Sequence, residues 1–171
     1  MGNSNSTPKG TPDQVARDEK YLRQALVIAK KARDAGNHPF GALLVDMETD
    51  TIVAIAENTV NTAKDCTGHA ETNLMRKASQ SCAVDVLRRS TLYTSTEPCC
   101  MCAGAMHWGQ VGRVVYALGE ETLYQKIGGH HVDNETLQLP CRTVFAASER
   151  KVEVVGPMME EEAWQVHEGF W

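Results

Sequence analysis

His69 and Glu71 stand two residues apart, and Cys99 and Cys102 follow behind Pro98 as a Cys-x-x-Cys pair. One imidazole and two thiolates supply three corners of a tetrahedral site for zinc and leave the fourth for water. The demand on the fold is strong. After the His69 segment the chain must turn back and set Pro98–Cys102 beside it, so that both segments reach one ion. The expectation is one zinc per chain, held by His69, Cys99 and Cys102. Zinc lowers the pKa of bound water toward ~7, and a carboxylate next to that water, here Glu71, takes its proton and passes it on.

Local geometry supports the pairing. Proline suits the first turn of a helix, so Pro98 is predicted to open a helix reaching about Trp108. Cys99 and Cys102 then share one helix face, near an N-terminus that favours thiolates. Cys100 projects ~100° away and stays outside the ligand set. His69 and Glu71 would diverge by ~200° within a regular helix. They converge only if His69 sits at the helix entry, after the turn-like Asp65-Cys66-Thr67-Gly68. Spacing alone leaves a second arrangement open. Cys66 and His69 with Cys99 and Cys102 would make a closed Cys3His structural site, and the chain would then be a zinc-stabilised binding module.

Composition narrows the class. A chain of 171 residues fits one domain with a real core, and 42% hydrophobic with 23% charged residues is ordinary for a globular protein. There is no apolar run of transmembrane length and no secretory leader, so no membrane role is expected. Six cysteines, three of them within Cys99–Cys102, read as metal chemistry in a reducing cytoplasm, not as a disulfide framework. The net charge is −5, from 17 Lys and Arg against 22 Asp and Glu. That balance speaks against a nucleic-acid partner. The longest basic cluster, Lys30-Lys31-Ala32-Arg33, has the spacing of a solvated helix face.

Residues 1–12 read as a polar, disordered leader, and 13–171 as a single domain. Met1–Ser6 matches the myristoylation pattern, but no polybasic second signal follows, and a flexible tail is the simpler expectation. A helix is predicted over Asp13–Ala35, from the stripe Leu22, Ala25, Leu26, Ala29 and the stop at Gly36. Gly41–Asp46 and Thr51–Ala56 read as a hairpin. A helix from the His69 segment to about Gln80 follows, then a strand over Thr91–Thr94 and the Pro98 helix. Arg113–Ala117 is a buried strand and Glu120–Ile127 is helical. A Gly- and His-containing loop, Gly128–Pro140, precedes a last strand at Lys151–Val155 and a closing helix at Glu160–His167. The order αββαβαβαβα implies an α/β fold, a mixed sheet with helices on both faces.

The segments Thr94-Ser95-Thr96-Glu97-Pro98-Cys99-Cys100-Met101-Cys102-Ala103-Gly104-Ala105-Met106, His38-Pro39-Phe40-Gly41-Ala42 and Asp65–Glu71 resemble the cytidine deaminase-like zinc deaminases. His-x-Glu…Pro-Cys-x-x-Cys is the signature of those enzymes. The resemblance spans about residues 15–125 and is strongest to small guanine deaminases and bacterial tRNA adenosine deaminases. Cys66 and Gly68 replace the Pro and Ala usual in those families. The resemblance implies a three-layer αβα sandwich with a five-stranded mixed sheet. It also implies hydrolytic deamination with Glu71 as proton shuttle, and a homodimer.

Substrate contacts follow from the same likeness. Phe40 and Asn58 fall at positions like those that touch substrate in the small-molecule enzymes, and Ala70 at the position whose backbone does so. Trp108 stands where guanine deaminases carry an aromatic residue. Asp133 is the nearest counterpart of their second acid, in surroundings that depart from the pattern. Phe170 and Trp171 are expected to close over the substrate or to pin the last helix. The acidic run Glu160-Glu161-Glu162 contrasts with the basic tail helices of the tRNA enzymes. Adjacent His130 and His131 receive no ligand role. The expectation is therefore deamination of a free nucleobase or nucleoside, with a purine first, in the manner of purine metabolism. tRNA adenosine-to-inosine editing and a cytosine-type reaction are the alternatives.

Overall fold

The computed structural model describes residues 10–129, 131 and 136–171. Most of the proposed leader, His130 and Asp133 lie outside the described residues. The first helix, α1 (Pro12–Asp34), begins one residue earlier than the sequence suggests. Thr11 caps it by accepting the Gln14 N–H at 3.3 Å, and Pro12 takes the first helical position, where its missing N–H is harmless. Its buried face carries Tyr21, Leu22, Ala25, Leu26, Ala29 and Ala32, the stripe the spacing implies. Gly36, at φ 86°, ends it.

The strands β1 (Gly41–Asp46) and β2 (Thr51–Glu57) form the expected antiparallel hairpin. After α2 (Val60–Ala63), α3 (Ala70–Ser81) and α4 (Val84–Arg89) comes β3 (Ser90–Thr96). Then follow α5 (Cys100–Trp108), β4 (Arg113–Leu118), α6 (Glu120–Lys126), α7 (Cys141–Ala146), β5 (Glu153–Val155) and α8 (Glu160–Trp164). The five strands lie in the order β2-β1-β3-β4-β5, with β1 antiparallel to both neighbours and β3, β4, β5 parallel. This is the three-layer αβα sandwich with a five-stranded mixed sheet that the motif resemblance implies.

Alternation along the strands divides the core. Leu43 and Val45 of β1, Tyr93 of β3, and Val115 and Ala117 of β4 pack with α1, Leu123 of α6 and Ala163 of α8. Their neighbours Ala42, Leu44, Leu92, Val114 and Tyr116 face α3, α5 and α7. Central strands covered on both faces read as near-continuous apolar runs, which is why β4 stands out in the sequence. Gly41 is required by this packing, because a Cβ there would lie 2.6 Å from the Ala25 carbonyl of α1. Below the sheet, Arg113 makes two 2.7 Å bonds to Asp18, which also accepts from the Tyr93 hydroxyl at 2.8 Å.

Four differences from the sequence reading have physical causes. The short helices α2, α4 and α7 carry too few residues to show a period. Helix α5 starts at Cys100, not Pro98, because Cys99 is extended (φ −65°, ψ 169°) and acts as the cap. The last helix ends at Trp164, and the residues after it form turns. Strand β5 begins at Glu153, where pairing with Arg113 begins. No helix among the described residues is long and apolar enough to cross a membrane.

Candidate active site and metal centre

In open α/β sheets, ligands bind beyond the carboxyl ends of strands where connections diverge. Here β3 has antiparallel β1 on one side and parallel β4 on the other. Its carboxyl end runs through Thr96 and Glu97 into Pro98 and the cap residue Cys99. The Glu97 N–H, bonded to the Leu118 carbonyl at 2.8 Å, ties this exit to the end of β4.

His69 and Cys99 hold the same post on two different helices. Each is the N-cap, His69 of α3 (φ −67°, ψ 148°) and Cys99 of α5. Gly68 sets up the first. A side chain there would meet Thr59 Oγ1 at 2.9 Å, and the Gly68 carbonyl accepts from Thr59 N at 2.8 Å and Asn73 Nδ2 at 3.1 Å. Cys102 occupies the third position of α5. Cap and third-position side chains naturally converge, as they do in a capping box. The shared helix face inferred from sequence is thus replaced by a cap-to-first-turn relation with the same result.

His69, Cys99 and Cys102 present ligand atoms that all lie within 4.8 Å of one another. The His69 Nδ1 to Cys99 Sγ distance is 3.6 Å. Ligands ~2.1 and ~2.3 Å from a tetrahedral zinc stand about 3.6 Å apart, so this donor set fits the ion. Hydrogen bonding between the two sulfurs lowers the Cys99 thiol and raises the Cys102 thiol. A divalent cation replaces such thiol protons when it binds. Among the described residues no other cluster of His, Cys, Asp and Glu has this geometry. Cys66 is exposed and not part of it, so the four-ligand alternative is not assembled.

Glu71 is 5% exposed, directly beside the ligands. Its Oε1 accepts from the Thr94 hydroxyl at 2.8 Å, and Oε2 lies 3.4 Å from Cys102 Sγ. Burial, then the Cys99 charge, push its carboxyl above the ordinary range. Thr72 Oγ1 touches Cys102 Sγ at 3.3 Å. Thr94 and Thr72 escape a reading of the sequence, since a hydroxyl partner carries no spacing signal of its own.

A cleft of about 440 Å³ opens over these groups, and its walls include His38, Phe40, Glu97, Met101, Glu120 and Leu137. Phe40 thus lines the cleft. Asn58 is 1% exposed, and its N–H bonds to the carbonyl of Phe40. Its Oδ1 accepts from Val60 N, yet its Nδ2 has no partner among the described residues. Ala70 is buried in the first turn of α3. Trp108 departs from expectation. It is 83% exposed at the far end of α5, about 13 Å along the helix from Cys99, and faces solvent instead of the cleft. Phe170 and Trp171 pack on His38, with ring centroids 6.1 and 5.5 Å away, and Trp171 also meets Phe40 at 6.2 Å. They back the cleft wall; the wall itself is His38 and Phe40. Glu120, in the cleft wall, had no place in the sequence reading. Burial first, then neighbouring negative charges, raise its carboxyl to about 7.

Comparison with known proteins agrees with this geometry. Residues 15–118 match the family model for the cytidine and deoxycytidylate deaminase zinc-binding region. A Schizosaccharomyces pombe protein named "Probable cytosine deaminase" is 40% identical over 158 residues, 91% of this chain and 93% of that one. The Bacillus subtilis guanine deaminase is 40% identical over 100 residues, 58% of this chain and 63% of that enzyme. A tRNA-specific adenosine deaminase from Haemophilus influenzae is 38% identical over 103 residues, 60% of this chain and 59% of that one. Among solved structures, guanine deaminase from Nitrosomonas europaea superposes with a TM-score of 0.70 at 19% identity, covering 97% of this chain and 96% of that one. That from B. subtilis gives 0.57 at 30% identity over 87% and 90%. With its ligand triad, its buried glutamate and a family match running from α1 to the end of β4, the chain belongs to the cytidine and deoxycytidylate deaminase family of zinc-dependent hydrolases.

Proposed function

We propose that this enzyme deaminates a free nucleobase or nucleoside by hydrolysis. The observation that carries the reading is Glu71, buried in the cleft beside the ligand triad, where burial raises its carboxyl above the ordinary carboxylate range. A zinc ion held by His69, Cys99 and Cys102 supplies a water of lowered pKa when bound. Glu71 takes a proton from the attacking water and delivers it to the neighbouring ring nitrogen. It then carries a second proton to the departing amine. Overall, one C–N bond breaks, one C–O bond forms, water is consumed and ammonia leaves. A buried carboxyl whose proton affinity is raised is suited to both taking and giving a proton. The Thr94 hydroxyl holds one carboxylate oxygen, and the other lies against the ligand sulfur of Cys102.

The rest of the cleft supports a flat, neutral heterocycle. Phe40 lines the cleft with a ring, and Asn58, tied to it through the Phe40 carbonyl, carries a buried Nδ2 donor with no partner among the described residues. The volume of about 440 Å³ lies in the range of small-molecule sites. The 40% identity to the B. subtilis guanine deaminase over 100 residues supports a purine. A cytosine-type substrate is the second reading, favoured by the S. pombe relative, which aligns over nearly the whole of both chains. Ammonia release from guanine, guanosine, adenine, adenosine, cytosine, cytidine and a tRNA stem-loop tests the proposal. Turnover of a free base or nucleoside is expected, with weak dependence on salt. Turnover of the stem-loop alone would overturn it.

A further inference from the structure

The charge of the walls carries a second conclusion, which rests on the reading of this cleft as a deaminase site. A second cavity of about 340 Å³ adjoins the cleft, and the two share Glu97 and Glu120 in their walls. Glu121, Tyr124 and Gln138 also line the second cavity. Among the described residues no Lys or Arg lines either cavity, and the basic groups there are two imidazoles, His38 and His69. His69 is already in the ligand set. A zinc held by two thiolates brings no surplus positive charge to offset the carboxylates.

The cations that stand nearest in sequence are engaged elsewhere. Lys126 pairs with Glu161 at 4.0 Å and sits 5.1 Å from the Trp164 ring centre. Arg142 donates to the Val154 and Gly156 carbonyls at 2.6 and 2.7 Å. The sequence from Gly128 to Pro140 contains neither Lys nor Arg. Glu97 is fixed by accepting the Cys141 N–H at 3.1 Å and the Glu120 N–H at 3.4 Å, so its charge does not swing away. Enzymes that bind nucleotides meet phosphate with Arg, Lys or unshared backbone N–H groups. Here the acceptors already placed on the α6 N-terminus are carboxylates, Glu97 on the Glu120 N–H and Glu160 on the Gly119 N–H, each at 3.4 Å.

We propose that Glu97, Glu120 and Glu121 are specificity determinants of the active-site cleft. They admit a neutral base or nucleoside and reject the same compound carrying a phosphate. Discrimination of this kind is repulsive: the wrong substrate places its dianion against carboxylates with no counter-charge. The same repulsion acts on the backbone of a tRNA.

The test uses the zinc-loaded full chain and a matched series of base, nucleoside and nucleoside 5′-monophosphate, for whichever base is turned over. We expect kcat/KM for the monophosphate to be at least ~10²-fold below that of the neutral substrates. Glu120→Gln, and separately the exposed Glu121→Lys, should narrow that ratio at least ~10-fold, chiefly through KM. Dissociation constants of the nucleoside and its monophosphate, measured by calorimetry, read the same discrimination without turnover. Equal dissociation constants, or a ratio unmoved in both variants, would overturn the proposal. Absence of turnover with discrimination intact in the binding data would instead remove the deaminase reading and leave this one standing.

Discussion

The indole N–H of Trp171 donates to Nδ1 of His167 across 3.3 Å. Nδ1 is thereby the acceptor, so the ring proton sits on Nε2 and faces the Thr96 hydroxyl at 3.4 Å. Trp164 and Trp171 both stack on the imidazole, at interplanar angles of 11° and 12°. Burial first, then the Arg33 charge, hold its pKa down to about 3. An unfolded His titrates near 6.5. Between these values the unfolded chain binds a proton that the native chain refuses. The stabilisation is therefore complete above about pH 6.5 and is lost as pH falls toward 3. At pH 4.5 the loss should be roughly 2–3 kcal/mol. Thermal unfolding from pH 7 to 4.5 should show a steep fall in Tm, shallower in His167→Gln. Parallel Tm curves for the two proteins would refute the assignment.

Zinc content distinguishes the ligands from the other cysteines. Cys99→Ser and Cys102→Ser should lose the metal, whereas Cys66→Ala and Cys100→Ser should keep it, with atomic absorption as the measurement. The geometry places Cys66 outside the cluster and Cys100 in the first turn without a ligand role. Retained zinc in Cys99→Ser would remove that sulfur from the shell.

Glu71→Gln keeps the shape and the Thr94 contact but cannot accept a proton. It should retain zinc and Tm while losing ~10²–10⁴-fold in kcat. Near wild-type turnover would assign the proton transfers to another residue, with Glu120 the next carboxyl in the cleft.

The sequence makes these features legible to different degrees. Strand β1 is read to the residue, because Gly-Ala-Leu-Leu-Val-Asp is an apolar run bounded by turn signals. His69, Glu71, Cys99 and Cys102 are legible because metal chemistry fixes their types and spacing. Thr94 and Glu120 are not, because their roles come from a strand register and a helix start that no short window of sequence contains. Trp108 shows the opposite error. An aromatic at the end of an apolar helix suggests a pocket, but α5 points that residue away from the carboxyl end of β3. The cap geometry at Cys99 was hidden by Pro98, which precedes the cap and merely resembles a first helical residue.

Asp18 and Arg113 give a prediction about stability alone. Their paired bonds are nearly buried, with Asp18 also accepting from Tyr93. Asp18→Ala removes the buried partner of this guanidinium and leaves it the exposed Glu153 carboxylate at 3.3 Å, so it should cost about 3 kcal/mol, read as a large drop in Tm. Activity per folded molecule should stay within about twofold, since the pair lies at the amino end of β4, away from the cleft. A parallel loss of kcat/KM in the folded fraction would show that the pair also shapes the site.

Phe170 and Trp171 connect the tail to the cleft wall. Arg33 reaches from α1 to the Val166 and Glu168 carbonyls at 2.9 Å each, and lies 5.8 Å from the Phe170 ring centre. The tail so held places Trp171 against His38, Phe40 and His131. Two consequences follow from removing residues 170–171. The apolar contacts of two large rings are lost, which should lower Tm by several degrees. His38 and Phe40 also lose their backing, so the wall that meets the substrate should loosen. We therefore expect KM to rise about 10-fold while kcat falls less, with the remaining activity measured well below the new Tm. A tail that served only as a pin would lower Tm and leave KM unchanged. A tail that entered the cleft only to cover the substrate would leave Tm unchanged and depress kcat/KM sharply. The ring geometry assigns both effects to the same two residues, and only a simultaneous change in Tm and KM satisfies it.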